Sequence, residues 1–120
     1  MKIFILEDDP HRITRFKQWY SHYDLTITDQ AADAIEILKT EKFDLIFLDH
    51  DLGGQVYVDS SEKNTGYTVA CELSSTVNSD TTVVIHSMNP TGSNNMKAVL
   101  EKHCQVYQIP FSEKIRGLIL

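Results

Sequence analysis

Cysteine is scarce in this 120-residue chain. Cys71 and Cys104 lie far apart and form no CxxC pair, which excludes a disulfide framework and offers no zinc site. A reducing cytoplasm is the compartment expected of such a chain. Long apolar runs are missing too. The longest, IFIL and LIFL, fall far short of the ~20 residues that cross a bilayer, and no basic region followed by an apolar stretch opens the chain as a signal peptide would. A membrane partner is therefore not expected. Basic residues are outnumbered, with 11 Lys and Arg against 17 Asp and Glu, and the net charge of -6 withholds the long-range attraction to phosphate backbones on which most nucleic-acid binders rely. Duplex DNA is excluded on that ground, while an RNA end held through a metal stays open. Only 5 Gly and 3 Pro are present, and no low-complexity tract, repeat or linker interrupts the pattern. What remains is an ordinary globular composition, 42% hydrophobic and 23% charged. A chain of this size buries roughly two-thirds of its unfolded surface without staples. A single stand-alone domain over residues 1–120, with no output domain, is the expectation.

Lys2 to Leu6 is a compact apolar run rich in Ile and Phe that stops at Glu7-Asp8-Asp9-Pro10, which predicts a buried strand. Asp9 before Pro10 predicts a helix cap followed by a first-turn proline. Ile13, Phe16 and Trp19 or Tyr20 then recur at helical spacing, giving a first helix from Pro10 to about Tyr20. Leu25 to Thr28 is a short β-branched strand. Thr28-Asp29 is placed to cap a second helix whose inner face is Ala31, Ala34, Ile35 and Leu38. Phe43 to Leu48 repeats the first pattern and runs into Asp49-His50-Asp51. A third helix is expected from about Asn64, carrying Tyr67, Val69, Ala70 and Leu73. A fourth strand over Thr82–Ile85 ends at His86-Ser87. A helix over Ser93–Lys102 with Ser93 as its cap, a strand over Gln105–Ile109 and a short last helix over about Ser112–Leu120 complete the chain. Strands alternating with helices specify a parallel sheet covered on both faces, because each parallel crossover needs a helix and is right-handed. The fold class is α/β, a doubly wound five-stranded parallel sheet expected in the order 2-1-3-4-5.

In such folds ligands bind at the C-terminal ends of the strands. The first strand delivers Glu7, Asp8 and Asp9 there, the third Asp49, His50 and Asp51, and the fourth His86, Ser87 and Asn89. Five carboxylates at one edge repel one another unless a hard cation neutralises them, and all-oxygen ligation suits Mg²⁺, or Mn²⁺ in its place. Glu7, Asp8, Asp49 and Asp51 are the candidate metal residues. The plain alternative is that Glu7 and Asp9 cap a helix while Asp49 and Asp51 open a loop.

ILEDD, LIFLD, VVIHS and IPF together resemble the receiver domain of bacterial response regulators over nearly the whole chain. The resemblance makes Glu7 and Asp8 the acid pair of the first strand, Asp49 the phosphoacceptor and Ser87 the hydroxyl of the fourth strand. It departs at one point: receivers carry a Lys before the Pro-Phe that ends the fifth strand, and Ile109 stands there. The metal and that Lys together neutralise the phosphoryl oxygens in the receiver mechanism, so phosphorylation-driven switching is put in doubt. A second departure is the loop DLGGQVYVDSSEKNTG between Asp49 and Gly66, roughly nine residues longer than in ordinary receivers, with a Gly53-Gly54 pivot suited to a lid or to a plain surface insertion. LDHDLGG, the long loop to TGY and VIHSMNPTG are similar to a narrower family, the cyclic-phosphate-processing receivers of bacteria and phages.

Imidazoles titrate near neutrality, so His50 and His86 are candidate proton donor and acceptor for phosphoester cleavage, beside Asp49 and Ser87 as catalytic residues. Strand alternation weighs against this pairing, since His50 and His86 start on the side opposite Asp49 and Ser87. Asn89 and Gly92, with Ser87, are candidate phosphate contacts. Three readings follow. The first is a Mg²⁺-dependent binder or phosphoesterase acting on a cyclic phosphate of a small molecule or RNA end, holding the ion through Asp8, Asp49 and the backbone carbonyl of Asp51. The second is a single-domain response regulator phosphorylated on Asp49, with a kinase or signalling partner. The third is a phosphorylation-independent pseudo-receiver that binds a protein.

Overall fold

The computed structural model describes residues 1–118. Its strands are β1 (Lys2–Leu6), β2 (Asp24–Thr28), β3 (Leu45–Leu48), β4 (Thr82–Ile85) and β5 (Val106–Gln108). Its helices are α1 (Pro10–Trp19), α2 (Ala31–Thr40), α3 (Gly66–Leu73) and α4 (Pro90–Leu100), and a 3-10 helix spans Glu113–Gly117. The five strands form one sheet in the order β2-β1-β3-β4-β5, and every named pair is parallel. Both faces are covered, which is why β3 and β1 after Lys2 are apolar without alternation. Phe4, Leu6, Ile46, Leu48, Val83 and Ile85 pack with residues of α2, α3 and α4. Ile3, Ile5, Leu45, Phe47 and Val84 pack with Phe16 of α1 and Ile115 of the 3-10 helix. No helix among the described residues is long and apolar enough to cross a membrane.

Asp9 caps α1 as its sequence predicts, accepting the His11 N–H at 2.9 Å with Pro10 in the first turn. Other boundaries move for identifiable reasons. Strand β3 starts at Leu45, and Phe43 is instead a core residue whose N–H donates to the buried Asn78 side chain. Helix α2 is not capped by Thr28 or Asp29. Its N-cap is Gln30, which makes no side-chain bond, and Asn64 Oδ1 accepts the Ala31 N–H from across the fold. Asn64 therefore caps a neighbouring helix rather than opening α3, which begins at Gly66. Helix α4 begins at Pro90, capped by Asn89, whose Oδ1 accepts the Gly92 N–H; Ser93 is buried inside the helix and is not its cap. Strand β5 shortens to three residues and the last helix is a 3-10 turn, with the expected final residues 119–120 outside the described region.

One close approach sets the geometry of the strand ends. A Cβ at Gly66 would fall 1.8 Å from the Asp49 carbonyl oxygen, and the Gly66 N–H donates to His50 O. Only a residue without a side chain lets α3 start against the end of β3. Gly66→Ala is expected to cost about 3 kcal/mol of unfolding free energy by urea denaturation. A midpoint equal to wild type would show that the β3 end yields freely.

Candidate functional site

The register of the sheet decides which side chains meet. Leu6 pairs with Leu48, and Leu48 with Ile85, so Glu7, Asp49 and His86 follow as neighbours one step beyond the strands. Alternation sends these three to the α1 face, which Ile3, Ile5, Leu45, Phe47 and Val84 already define. Each offers a ligand atom within 4.8 Å of the others, and all three are buried. Glu7 is used up within the protein: Oε2 accepts the N–H groups of Asp8 and Asp9 at 3.0 and 3.1 Å, and Oε1 accepts His86 Nε2 at 2.9 Å. Glu7 thus shapes the turn that presents Asp8. Burial pushes its carboxyl above the ordinary range. Burial, reinforced by the Glu7 carboxyl, pushes Asp49 up to about 7, against the pull of His86. The His86 imidazole, packed edge-on against Phe16, is held down to about 4 by burial.

A cleft of about 440 Å³ opens in front of this row, lined by Asp8, Asp9, Arg12, Asp49 and Asp51 on the acidic side. Val56, Tyr57 and Met88 form an apolar wall, and all three are exposed. Val56 and Tyr57 belong to the long loop, which folds over the strand ends: Gly53 and Gly54 both take positive φ, and the Gly54 N–H donates to Asp8 Oδ2 at 2.6 Å. Asp51 organises that loop. Its Oδ1 accepts His50 Nδ1, Asn89 Nδ2 and the Val58 N–H, and its Oδ2 accepts the N–H of Tyr57, whose φ of 54 is left-handed. Despite partial burial, these bonds hold the Asp51 carboxyl below its usual range. The Asp51 side chain is committed to the loop.

The candidate histidines are brought near the site but not into it. His50 alternates to the opposite face, where its ring lies against Gly92 so closely that a Cβ there would sit 2.4 Å away. Its Nδ1 donates to Asp51, and its Nε2 pairs with Ser60 Oγ at 2.8 Å, so it latches the loop. His86 lies behind Glu7, with Nδ1 buried and unpartnered among the described residues. Neither imidazole lines the cleft, and both are fully buried, so neither is placed to touch a ligand there directly. Ser87 is also buried away from the cleft, its Oγ accepting the Asn89 N–H at 3.0 Å. Asn89 and Gly92 are spent on the α4 cap and the loop latch, and line a separate cavity of about 460 Å³.

A residue outside the sequence-derived set reaches the cleft. Arg12 stands on α1, with Nη1 3.8 Å from Glu7 Oε1 and 3.9 Å from Asp49 Oδ2, and Nε 4.0 Å from Asp9 Oδ2. Its guanidinium lies over the Phe111 ring at 5.2 Å. The available signal was its place one turn after the Asp9 cap, on the helix edge nearest the acids. The donor set suits a hard cation: Asp8 and Asp49 both line one cleft, and Asp8 Oδ1 and Asp49 Oδ2 accept no N–H hydrogen bond among the described residues.

The chain matches the family model described as the cyclic-phosphate processing receiver domain over residues 1–102. It belongs to that family. No curated protein matches this receiver domain in sequence. Among solved structures it is similar to the N-terminal domain of a response regulator from Carboxydothermus hydrogenoformans, with 20% identity, 96% of this chain and 86% of that one covered, and a TM-score of 0.67. It is also similar to the receiver domain of a sensor histidine kinase from Pseudomonas aeruginosa with a magnesium ion coordinated in its active-site cleft (18% identity, 95% and 88% covered, TM-score 0.65). A third is a response regulator from Burkholderia pseudomallei with a phosphorylated aspartic acid and a calcium ion (13% identity, 95% and 62% covered, TM-score 0.64). At these identities the likeness establishes the receiver fold.

The buried row has a measurable acid–base signature. Between pH 4 and 6.5 folded Asp49 keeps a proton that the unfolded chain, with its ordinary value of 3.8, has released, so this group makes stability rise as pH falls. Over the same window folded His86 lacks a proton that the unfolded chain, at 6.5, holds, so it makes stability fall as pH falls. The two effects oppose each other in the native chain. In Asp49→Asn the His86 effect is left with only Glu7 to oppose it. Without divalent ions, stability of the variant relative to wild type should therefore drop from pH 6.5 to 4, with a limiting slope of ~1.4 kcal/mol per pH unit. Urea denaturation across that range measures it, and parallel curves would contradict the assignment.

Proposed function

We propose that the cleft binds a phosphate-bearing ligand together with Mg²⁺, and that the ligand is a cyclic phosphate ester of a small molecule or an RNA end, which the protein holds or opens. The observation behind this reading is the makeup of one cleft: the carboxylates of Asp8 and Asp49, a guanidinium 3.9 Å from Asp49 Oδ2, and an apolar wall of Val56, Tyr57 and Met88. Acidic oxygens alone call for a cation. A cation and a guanidinium together call for an anion, and the exposed Tyr57, Val56 and Met88 give its organic part a surface to lie on. Asp8, Asp49 and the carbonyl of Asp51 are the ligands assigned to the metal. When bound, the ion supplies Lewis-acid polarisation of the phosphoryl oxygens. Glu7 contributes by fixing the turn at Asp8 and Asp9, and Asp51 by holding the loop that walls the cleft. His50 and His86 contribute through Asp51 and Glu7 rather than by touching the ligand.

A second reading, phosphorylation of Asp49 in kinase-linked signalling, is favoured by the place of Asp49 in the lining of the cleft and by the phosphorylated aspartic acid in the Burkholderia response regulator of the same fold. One preparation separates the two. With Mg²⁺ present, calorimetry should detect binding of a 2′,3′-cyclic nucleotide that vanishes in EDTA, and Asp8→Asn should weaken Mg²⁺ binding tenfold or more. Acetyl phosphate should leave the intact mass unchanged. Stable gain of one phosphoryl group, with no cyclic nucleotide bound, would replace the first reading with the second.

A further inference from the structure

The row that ends the sheet closes on an apolar residue. Ile85 pairs with Gln108, so Ile109 continues the line Glu7, Asp49, His86 on the same face of the sheet. Ile109 is apolar and packs into the cluster formed with α1, so it brings no charge to the acids. Helix α1 lies over this face, and its Arg12 places a guanidinium within 4.0 Å of three carboxylates from two strand ends. None of these approaches is a hydrogen bond. Arg12 makes no side-chain hydrogen bond among the described residues, although a guanidinium carries five N–H donors. The group is nevertheless held in place. Its Cζ lies over the ring of Phe111, two residues after Ile109, and its side chain is only 27% exposed.

A charged, positioned guanidinium with unused donors, lining the cleft beside Asp8 and Asp49, is equipped for an additional acceptor. We propose that Arg12 binds the phosphoryl oxygens of the ligand, so that the cation facing Asp49 comes from α1 instead of from β5. The inference rests on reading the cleft as a phosphate site and adds the residue that recognises the anion. Its planar fork matches two oxygens of one phosphoryl group, which a Lys in the same place would meet as a point charge. A purely compensating role toward Glu7 and Asp49 would instead leave Arg12 indifferent to the anion.

The test uses inorganic phosphate and 2′,3′-cyclic AMP as probes, titrated calorimetrically into the full chain at saturating Mg²⁺. Arg12→Gln should weaken both anions by about tenfold or more, while Mg²⁺ alone binds as tightly as in wild type or more tightly, because a neighbouring positive charge has gone. Arg12→Lys should fall between the two. A second measurement needs no variant: phenylglyoxal should modify Arg12 more slowly in wild type when Mg²⁺ and 2′,3′-cyclic AMP are present, with Arg15 and Arg116 unchanged as internal references. Anion affinity equal to wild type in a folded Arg12→Gln, or no protection of Arg12 at saturating ligand, would overturn the inference. Absence of any Mg²⁺-dependent anion binding by wild type would overturn the phosphate reading itself, and this inference with it.

Discussion

Two carboxyl groups, those of Glu7 and Asp49, are buried side by side because the parallel register of β1 and β3 leaves them no other place. The site's construction follows from tolerating that pair. Burial leaves it little water, so the protein surrounds it with donors and positive charge. Glu7 is saturated by two backbone N–H groups and His86, one oxygen of Asp49 by the His50 N–H, and the rest of the field is answered by Arg12. Burial still pushes both carboxyls upward, which marks the pair as incompletely neutralised. On the proposed reading, a hard cation on Asp8 and Asp49 would relieve the same repulsion from the cleft side.

The long loop is the second element tied to the strand ends. Asp51 begins it and then receives it back, accepting N–H groups from Tyr57 and Val58 while Gly54 reaches Asp8. The positive φ of Tyr57 is maintained by that recapture, and it sets an exposed ring on the wall of the cleft. His50 and Asn89 complete the hold from below. Residues that a linear motif would group as catalytic are thus distributed between two tasks. Asp8 and Asp49 face the cleft, and His50, Asp51 and Asn89 position the wall opposite them.

Much of the fold was legible because its signals are local. IFIL and LIFL read as strands buried on both faces and Asp9-Pro10 as a helix start, and each forms that element. The acids were legible for the same reason, since a strand that stops in carboxylates presents them at its end. What escaped depends on contacts distant in sequence. Asn64 caps α2 from 33 residues away, and Asn78 ties together Phe43, Leu38 and Glu41; no local pattern announces either. The histidines were misplaced by alignment across strands: Asp49 stands level with His86, not Ser87, once the register is known. Arg12 was missed because a single basic residue on an amphipathic helix looks like a solvated surface group until α1 is laid over the sheet edge.

The central claim is that an anion and a divalent ion share this cleft, the ion on Asp8 and Asp49 and the anion on Arg12. A crystal structure of the chain grown with Mg²⁺ and 2′,3′-cyclic AMP tests it most directly. The expected result is an ion ~2.1 Å from a carboxylate oxygen of Asp8 and of Asp49, with a phosphoryl oxygen within ~3 Å of an Arg12 nitrogen and the organic group along Tyr57 and Met88. A nucleotide seated in the depression beside Asn89 and Gly92, with Arg12 unmoved and no ion between the carboxylates, would contradict the account.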